Sequence, residues 1–458
     1  MSTNLAVRLL EAARRRPDHP ALLWDDGALA WRELEGRAAA VAVRLARDGV
    51  AAGDVVALFL PNTWGLVAAL WGGLALGATV VPLNPLLAAD ERARILAHLG
   101  PTAVIDAAPD ADTAAMPAIG AAAAPGIVLY TSGSTGQPKG AVLSHAALSV
   151  ANESWAGPVM GLGPDDRVLA VLPLAHSFGL NGALLAPLLA GATVVLQERF
   201  AADETLRAIA RHRATVFPGV ATMFQRILES AALGTTDLSS LRLAVSGAAP
   251  CPWALAREWH ARTGVRIVRG YGMTELFRPI SYLAAEPADR PDSIGRAVPG
   301  VELRLVEDEL WIRSPAAMDG YLRAPEETAA VLADGGWFRT GDLATISDDG
   351  YVSIVGRKRE LILRGGYSVV PGEVEAALLG HPAVAEAAVI GVAHPELGEE
   401  VAAFVALRPG AHADATELGE FCRARLASYK CPRRITVVEA MPKSATGKIL
   451  KARLRPLT

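Results

Sequence analysis

The sequence predicts an α/β fold: a large N-terminal domain of doubly wound α/β layers with a β-rich piece, followed by a small, mobile α+β C-terminal domain. Three observations support this. Buried-strand patterns alternate with helical patterns up to about residue 270, short strands and turns follow over residues 301–355, and the character changes after residue 357. Because the chain has 458 residues, more than one domain is expected. We predict domains at residues 1–357 and 358–458, with a hinge near Arg359.

The elements follow from local patterns of apolar residues. The N-terminus predicts an amphipathic helix, and residues 107–126 predict an exposed, Ala/Pro-rich linker. In the N-terminal domain, predicted strands are residues 55–60, 79–83, 126–129, 168–172, 193–196, 215–218, 241–246 and 267–270, and predicted helices are 64–76, 203–211 and 253–263. In the C-terminal domain, predicted helices are residues 373–379 and 415–427, and predicted strands are 385–392, 401–407 and 435–438.

Two uncharged stretches, residues 55–89 and 168–197, are long enough to cross a membrane. Glycine and proline interrupt both, so a buried strand, a helix ended by glycine and another buried strand explain each better. Residues 76–81 and 190–195 repeat this helix–glycine–strand pattern. We therefore predict no transmembrane segment.

Composition excludes several functional classes. The formal net charge of −4 provides no strong field for nucleic acid. The three cysteines lack the spacing of a metal site and cannot form a disulfide framework, which fits a reducing compartment. The N-terminus lacks an apolar signal core. These observations predict a cytoplasmic protein.

The most informative segment is residues 130–140, where glycines, hydroxyl side chains and Lys139 follow an apolar strand. Glycines bring backbone N–H groups close to a ligand, while hydroxyls and an ammonium group donate to phosphate oxygens. The ordinary alternative is a solvated Gly/Ser loop, but this segment is short and ends in Pro138-Lys139-Gly140 before another apolar run. It does not have the Walker A spacing. The pattern favours a polyphosphate-binding loop.

Further motifs follow predicted strands, where ligands gather in open α/β sheets. Residues 270–275 offer a tyrosine face, a hydroxyl and a carboxylate suited to Mg²⁺, although an ordinary strand–helix turn is the alternative. Asp342, in a Thr-Gly-Asp turn, suits ribose hydroxyls, with a turn aspartate as the alternative. His176 and Lys448, taken alone, would be assigned to the core and to a solvated loop.

Together, and in this order, these motifs closely resemble the AMP-forming acyl-CoA synthetase superfamily of adenylate-forming enzymes over nearly the whole chain. The resemblance implies ATP, Mg²⁺ and coenzyme A as cofactors and a small-molecule carboxylic acid as substrate. It implies catalytic roles for Lys448, Thr274, Glu275 and His176, with Glu275 as the metal ligand. The implied nucleotide-binding residues are Thr131, Ser132, Gly133, Ser134, Thr135, Gly136, Lys139, Gly247, Ala248, Gly270, Tyr271, Gly272, Asp342 and Arg357. The implied CoA tunnel is lined by Gly365 and Gly366. The implied acyl pocket is lined by His176, Phe178, Gly219, Val220 and Arg278.

The chain departs from the family pattern at several positions. Amino-acid-activating relatives carry an aspartate where this chain has Ala175-His176, which disfavours an α-amino acid substrate. The hinge residue is usually Asp or Lys and is Arg359 here, and the hairpin at residues 301–314 is shortened. Arg278 stands where small or apolar residues are common. It could pair with a second carboxylate and select a short dicarboxylate such as malonate; otherwise it faces solvent or pairs with Glu286.

We predict an AMP-forming carboxylic acid–CoA ligase. The carboxylate attacks the α-phosphate of ATP, pyrophosphate leaves, and the CoA thiol then displaces AMP after the C-terminal domain turns. An alternative acceptor is the phosphopantetheine of an acyl carrier protein. A catalytically silent binding module of the same fold is a further alternative, disfavoured by the intact Lys448, Glu275 and Asp342.

Overall fold

The computed structural model describes residues 4–110, 112–122, 125–131, 139–286, 290–364, 367–443, 447 and 449–454, without the side chains of Arg359 and Ser368. The chain divides into two compact units. Unit 1 comprises Met1–Glu302 and Ile312–Phe338, and unit 2 comprises Leu303–Trp311 and Arg339–Thr458. The predicted domain boundary near Arg359 stays a prediction.

Helices occur in both units. In chain order they are α1 (Leu5–Arg15), α2 (Trp31–Arg47), α3 (Trp64–Ala75), α4 (Ala89–Leu99), α5 (His145–Ser154), α6 (Ala186–Leu189), α7 (Ala202–His212), α8 (Ala221–Glu229), α9 (Trp253–Thr263), α10 (Pro325–Val331), α11 (Pro371–Leu379) and α12 (Ala415–Arg423). A π-helical segment, Gly179–Leu185, leads into α6.

The strands of the first 300 residues are β1 (Pro20–Trp24), β2 (Gly27–Ala30), β3 (Val55–Leu58), β4 (Thr79–Pro82), β5 (Ala103–Ile105), β6 (Ile127–Thr131), β7 (Lys139–Leu143), β8 (Arg167–Ala170), β9 (Thr193–Leu196), β10 (Val216–Gly219), β11 (Leu243–Ser246), β12 (Ile267–Val268), β13 (Gly270–Met273), β14 (Phe277–Ser281) and β15 (Arg296–Ala297). The later strands are β16 (Glu302–Val306), β17 (Glu309–Arg313), β18 (Gly320–Tyr321), β19 (Leu332–Ala333), β20 (Trp337–Ile346), β21 (Val352–Arg357), β22 (Ile362–Arg364), β23 (Tyr367–Val369), β24 (Val384–His394), β25 (Gly398–Leu407) and β26 (Arg434–Val438).

Unit 1 is built on two large sheets. The first has the strand order β12-β11-β10-β8-β9-β1-β2 and is parallel except at the β1–β2 hairpin. Its strands are apolar on both faces, as parallel strands covered by helices should be. Trp259 packs on Phe217 and Phe224 in the adjoining core, with the Phe224 and Trp259 ring centroids 4.9 Å apart. Because β10, β11 and β12 run parallel, their carboxyl ends lie at the same edge of this sheet.

The second sheet of unit 1 has the order β18-β7-β6-β4-β3-β5. Strands β3, β4, β5 and β6 run parallel, whereas β7 turns back antiparallel to β6 and β18 adds antiparallel to β7. A short antiparallel sheet, β13-β14-β15, continues from the end of β12. The doubly wound α/β class is confirmed.

Unit 2 contains the α+β portion. Its sheet has the order β23-β22-β25-β24, with β26 parallel to β25, and α11 and α12 supply apolar residues to the core beside it. The shortened hairpin predicted at residues 301–314 is formed by β16 and β17. Glu307 and Asp308 connect them, both with positive φ, as a two-residue type I′ turn requires.

Most predicted elements agree with the structure to within a few residues at their ends. The strand at residues 193–196 and the helix at residues 253–263 agree to the residue. Gly77 and Gly191 both have positive φ and precede buried strands, which confirms the repeated helix–glycine–strand pattern. The described residues of the predicted linker, 107–110, 112–122 and 125–126, form no helix or strand, and several of them are at least partly buried. The N–H of Gly120 donates to Ala75 O at 2.7 Å, so this stretch is less exposed than expected.

The uncharged stretches form short elements inside unit 1. Helix α3, the most apolar of them, has 12 residues, which is too short to cross a bilayer. Within the described ranges, no helix combines the length and the hydropathy that a membrane span needs.

Candidate functional site

The predicted phosphate loop, residues 130–140, is entered and left through a β-hairpin. Strand β6 ends at Thr131 and β7 begins at Lys139, and these two residues face each other in the antiparallel register. The hydroxyl of Thr131 lies 3.5 Å from Lys139 O. The residues between them include Ser132, Gly133, Ser134, Thr135 and Gly136, all predicted phosphate contacts, and lie outside the described residues.

The motif at residues 270–275 forms a hairpin rather than a strand–helix turn. Strand β13 pairs antiparallel with β14, so the alternative with Glu275 in the first turn of a helix is wrong. Gly272 is required here, since a Cβ atom at this position would collide with the carbonyl oxygen of Phe277. Phe277 itself adopts a positive φ of 57°. The close backbone approach places Glu275 at the tip of the hairpin.

Two side-chain contacts hold the tip of this hairpin. Thr274 is buried, and its hydroxyl lies 3.4 Å from that of Ser177. The phenol of Tyr321 donates to Glu275 Oε1 at 2.6 Å. Burial and the neighbouring Glu275 carboxylate raise the pKa of Tyr321 well above its usual value, so the phenol stays protonated. The Glu275 carboxylate is thereby oriented through one of its two oxygens.

Glu275 fits the magnesium ion that the family resemblance implies. Within the described residues, the second oxygen, Oε2, accepts no hydrogen bond, so a hard oxygen ligand remains available. No group of three or more His, Cys, Asp or Glu side chains in the described ranges could hold a metal by itself. Mg²⁺ is usually held by one or two carboxylates together with substrate phosphates, so a single glutamate suits it.

The residues predicted beside adenine lie at adjacent strand ends. Gly247 and Ala248 directly follow β11, and Ala248 adopts a positive φ of 64°. Gly270 and Tyr271 lie on β13, opposite Ser281 and Ile280. The structure therefore brings two sequence-distant motifs of the predicted nucleotide site to one edge of unit 1.

Arg278 is buried, with 5% of its surface exposed. Its guanidinium donates to Ser281 Oγ at 2.9 Å, to Ser246 O at 2.8 Å and to Val268 O at 3.2 Å. The alternatives in which Arg278 faces solvent or pairs with Glu286 are both wrong, because Glu286 accepts from Arg296 instead. No carboxylate in the described part of the chain pairs with Arg278. Burial lowers the pKa of Arg278 to about 9, which leaves the guanidinium charged at neutral pH.

Aromatic rings and glycines surround this guanidinium. Its Cζ lies 5.0 Å from the centroid of the Trp155 ring, and Trp155 stacks on Phe178 with centroids 5.5 Å apart. A Cβ atom on Gly247 would lie 3.2 Å from both Arg278 Nη1 and the Phe178 ring. A Cβ atom on Gly270 would collide with the guanidinium. Both glycines therefore make room for the arginine.

The remaining residues of the predicted acyl pocket lie close by. Gly219 ends β10 and pairs with Ser246 on β11, and the buried Val220 follows it. His176 Nδ1 accepts the N–H of Phe178 at 3.2 Å, so a neutral ring carries its proton on Nε2. The end of β11 thus brings together Phe178, Gly219 and Arg278. All three belong to the predicted acyl pocket.

Unit 2 contains the predicted ribose contacts. Asp342 on β20 and Arg357 on β21 face each other in the strand register, and Arg357 Nε lies 2.9 Å from Asp342 Oδ1. Asp342 is 3% exposed, and its N–H donates to Thr340 Oγ1 at 3.1 Å. The two predicted ribose contacts therefore form an ion pair with each other.

The segment that contains Lys448 is residues 442–450, and the structure describes Pro442, Lys443, Gly447, Ile449 and Leu450 of it. Lys448, Gly365 and Gly366 lie outside the described residues, as does the side chain of Arg359. Lys443 and Ile449 form an antiparallel bridge, and Leu450 N–H donates to Pro442 O at 2.7 Å. Lys451 Nζ lies 2.8 Å from carboxylate oxygens of both Glu360 and Glu375. Burial lowers the pKa of Lys451, but the Glu375 and Glu360 carboxylates outweigh it and raise that pKa above its usual value.

Comparison with known proteins assigns the family. The sequence profile of the "AMP-binding enzyme" family matches residues 9–124 and 106–322, and that of the "AMP-binding enzyme C-terminal domain" matches residues 373–448. The chain belongs to the AMP-binding enzyme family. The resemblance stated from the sequence is confirmed.

Similar proteins extend this result to nearly the full chain. A 3-[(3aS,4S,7aS)-7a-methyl-1,5-dioxo-octahydro-1H-inden-4-yl]propanoyl:CoA ligase of Mycobacterium tuberculosis is 35% identical, with 97% of each chain covered. A feruloyl-CoA synthase of Amycolatopsis sp is 36% identical over 97% of this chain and 96% of its own. The crystal structure of ATP-bound MatB from Rhodopseudomonas palustris has a TM-score of 0.91 and 30% identity, covering 100% of this chain and 99% of its own.

This family member is an ATP-dependent, AMP-forming acid–CoA ligase that acts on a small-molecule carboxylic acid.

Sequence reasoning missed two residues of the candidate site, Trp155 and Tyr321. Trp155 follows α5 and opens a short π-helical segment, Trp155–Val159, and nothing in the sequence around it indicates a ligand. Tyr321 belongs to a two-residue strand, and its only sequence signal is a glycine before it and Pro325 shortly after.

Proposed function

We propose that this CoA ligase activates a short acid that carries a second anionic group, and that Arg278 binds that group. The substrate class is one of the two expected from the sequence, the dicarboxylate type represented by malonate. The observation that carries the proposal is a buried guanidinium without a carboxylate partner in the described chain.

The charge of Arg278 supports an anionic ligand. Removing an ion from water is costly, and buried charges are normally compensated by an opposite charge. Carbonyl and hydroxyl oxygens accept three of the five N–H groups of Arg278 but provide no negative charge. A carboxylate or sulfonate would supply that charge and accept the remaining donors in a fork geometry.

The surroundings of Arg278 support a ligand that is small and polar. Trp155, at the guanidinium, and Ser246, whose carbonyl accepts from it, have buried polar side-chain atoms. Neither Trp155 Nε1 nor Ser246 Oγ has a hydrogen-bond partner among the described residues. Unpaired buried polar groups are costly and are usually satisfied by a ligand or an ordered water. Trp155 is 4% exposed and Phe178 is 7% exposed, so their stacked rings leave little open space beside the guanidinium.

The other residues keep the roles implied by the family. Glu275 would hold Mg²⁺, which neutralises phosphate charge when bound. Lys139 and the loop before it bind the polyphosphate, Asp342 accepts from the ribose hydroxyls, and Lys448 stabilises charge at the α-phosphate as pyrophosphate leaves. The acid carboxylate forms a bond to the α-phosphorus as the bond to pyrophosphate breaks. The CoA thiol then forms the thioester, releasing AMP and a proton.

The proposal also includes the expectations for the thiol acceptor, its tunnel, the hinge and the cellular compartment. The relatives are CoA ligases, which gives no support to the alternative acceptor, a carrier-protein phosphopantetheine. Gly365 and Gly366 are proposed to leave room for the pantetheine arm of CoA, and rotation near Arg359 to separate the two half-reactions. A reducing, cytoplasmic compartment is also proposed, because the buried Cys422 and Cys431 are free thiols.

An aromatic or alicyclic monocarboxylate is the second candidate. The Trp155–Phe178 stack makes the surroundings of Arg278 aromatic, which suits an aromatic acid, and one of the relatives is a feruloyl-CoA synthase. In this case the guanidinium serves only to tie the ends of β11 and β12 to β14. The two candidates differ in one testable respect, the response of substrate preference to the charge of Arg278.

Specificity constants would decide between them. We would compare malonate and sulfoacetate with propionate, hexanoate and ferulate, at saturating ATP and CoA, in the wild type and in Arg278→Met. Losing a charged hydrogen-bond pair costs about 1.5–3 kcal/mol. Arg278→Met should therefore lower kcat/KM for the dianions by about 10- to 150-fold. It should change kcat/KM for propionate, which lacks the second carboxylate, far less.

Arg269→Met is the matched control. Arg269 is also 5% exposed, donates to Pro291 O and Arg290 O, and lies over the rings of Trp253 and Tyr282. Its replacement removes a buried arginine away from Trp155 and should leave the ranking of acids unchanged. If the wild type does not prefer dianions, or if Arg278→Met keeps that preference, the proposal is wrong.

A further inference from the structure

Tyr321 contacts two residues that the nucleotide site requires. Its phenol donates to Glu275 Oε1 at 2.6 Å, and the ammonium of Lys139 lies 5.3 Å from the centroid of its ring. Glu275 is the proposed Mg²⁺ ligand, and Lys139 closes the phosphate loop. One side chain therefore joins the carboxylate that would hold the metal to the cation that would face the phosphates.

Strand register explains why the ring reaches Lys139. Strand β18 pairs antiparallel with β7, and Tyr321 faces Ala141. Lys139 lies two residues before Ala141, and side chains two residues apart point to the same face of a sheet. Tyr321 and Lys139 are therefore diagonal neighbours on one face, within reach for a long side chain and an aromatic ring.

The backbone around Tyr321 is held on several sides. Its N–H donates to Thr328 Oγ1 at 2.8 Å, and the N–H of Leu322 donates to Gly140 O at 2.8 Å. The N–H of Met318 donates to the carbonyl oxygen of Glu275, also at 2.8 Å. These bonds connect the segment before α10 to both β7 and the tip of the β13–β14 hairpin. The phenol is thus presented from a fixed backbone.

The two contacts have different chemical consequences. An ionised carboxylate has two oxygens, and the phenol engages Oε1, which orients Oε2 for a hard cation. The ring face attracts an ammonium group and limits where Lys139 can place its charge. A phenylalanine would keep the second effect and lose the first, whereas a leucine would lose both.

We propose that Tyr321 is a positioning residue for Mg·ATP: its hydroxyl orients Glu275 for the metal, and its ring orients Lys139 for the polyphosphate. This inference rests on the roles proposed above for Glu275 and Lys139. It predicts that the hydroxyl and the ring can be separated experimentally, because only the hydroxyl acts on the metal.

Calorimetric binding provides a measurement that does not depend on turnover. We would titrate a non-hydrolysable ATP analogue into the wild type, Tyr321→Phe and Tyr321→Leu, with Mg²⁺ and with EDTA. Tyr321→Phe should weaken binding several-fold with Mg²⁺ and leave binding in EDTA unchanged. Tyr321→Leu should weaken both. Direct titration with Mn²⁺ in the presence of the analogue, followed by electron paramagnetic resonance, should show the same loss of metal affinity in Tyr321→Phe.

Tyr282→Phe is the matched control for the loss of a phenol. Tyr282 is buried directly after β14, and its hydroxyl donates to Arg290 O at 3.3 Å. Its substitution should not change the effect of Mg²⁺ on analogue binding. A Tyr321→Phe protein that binds the Mg²⁺ complex like the wild type, or that loses equal affinity in EDTA, would overturn the inference.

Glu275→Gln separates this inference from the proposed function. If Glu275→Gln abolishes the gain in affinity from Mg²⁺ and Tyr321→Phe does not reduce it, the role of Tyr321 is wrong while the role of Glu275 stands. If Glu275→Gln also leaves that gain intact, the proposed metal ligand is wrong and the inference fails with it.

Discussion

Arg278 in unit 1 and Arg364 in unit 2 are both largely buried, but among the residues that the structure describes only Arg364 has a carboxylate partner. Arg364 Nε lies 2.6 Å from Glu400 Oε1, and its Nη2 donates to Glu400 Oε2 at 3.0 Å. Among the described residues, the hydrogen bonds of Arg278 go to carbonyl and hydroxyl oxygens and to no carboxylate. A charge neutralised within the fold is fully used for structure, whereas an unneutralised buried charge can select an anionic ligand.

Asp342 is an intermediate case. Arg357 neutralises it, yet the side chain of Arg357 is 32% exposed while that of Asp342 is 4% exposed. A paired carboxylate retains lone pairs that can accept from neutral hydroxyls, as a ribose would require. Arg364, Asp342 and Arg278 thus form a series. The charge of Arg364 is paired within the fold, and Asp342 is paired but can still accept hydrogen bonds. The charge of Arg278 is available to an anionic ligand.

The largest effect is expected on the unfolding free energy, when Arg364 is removed from its pair with Glu400. Arg364→Met leaves Glu400, which is 8% exposed, without a cation. Breaking a buried ion pair by removing one partner typically costs about 3–5 kcal/mol. We expect a loss of this size in the unfolding free energy of unit 2, measured by urea denaturation with a probe in that unit.

The double variant Arg364→Met/Glu400→Met is the control for that experiment. It removes both charges and should recover most of the lost stability. If the single variant is as stable as the wild type, or if the double variant recovers nothing, the assignment of Arg364 to structure alone is wrong.

Lys448 extends the comparison to a cation expected to act only in chemistry. Lys448→Ala should lower the rate of acyl-adenylate formation by about 10²–10³-fold, since it removes a charge that stabilises the transition state. Pyrophosphate exchange measures this step. Thioester formation from supplied acyl-adenylate, and the unfolding temperature, should stay close to wild type. Equal losses in both half-reactions would contradict separate domain arrangements for the two steps.

A smaller effect is expected at Asp342. Asp342→Ala should raise KM for ATP and weaken AMP binding by about 1.5–3 kcal/mol, as expected for a lost hydrogen bond to a charged group. The wild type should bind 2′,3′-dideoxy-ATP more weakly than ATP, and the variant should bind the two nucleotides nearly equally. A variant that is correctly folded and still prefers ATP by the wild-type ratio would exclude the ribose contact.

Local patterns were sufficient for much of the fold. The repeated helix–glycine–strand segments were predictable because a glycine with positive φ ends a helix and an uncharged run of β-branched residues suits a buried strand. The hairpin at the end of β12 was not predictable in this way. It depends on the close approach of Gly272 to the carbonyl of Phe277, which joins residues with no strong turn signal.

The sequence alone determined the family and the class of reaction, and it predicted the nucleotide motifs, because each motif is a short contiguous segment whose chemistry can be recognised from its residue types. It also singled out Arg278 as unusual. Only the tertiary structure decided that Arg278 is buried against Ser246 and Val268, that Asp342 pairs with Arg357, and that Tyr321 contacts both Glu275 and Lys139. These contacts join residues from different elements, and the packing of those elements sets their partners.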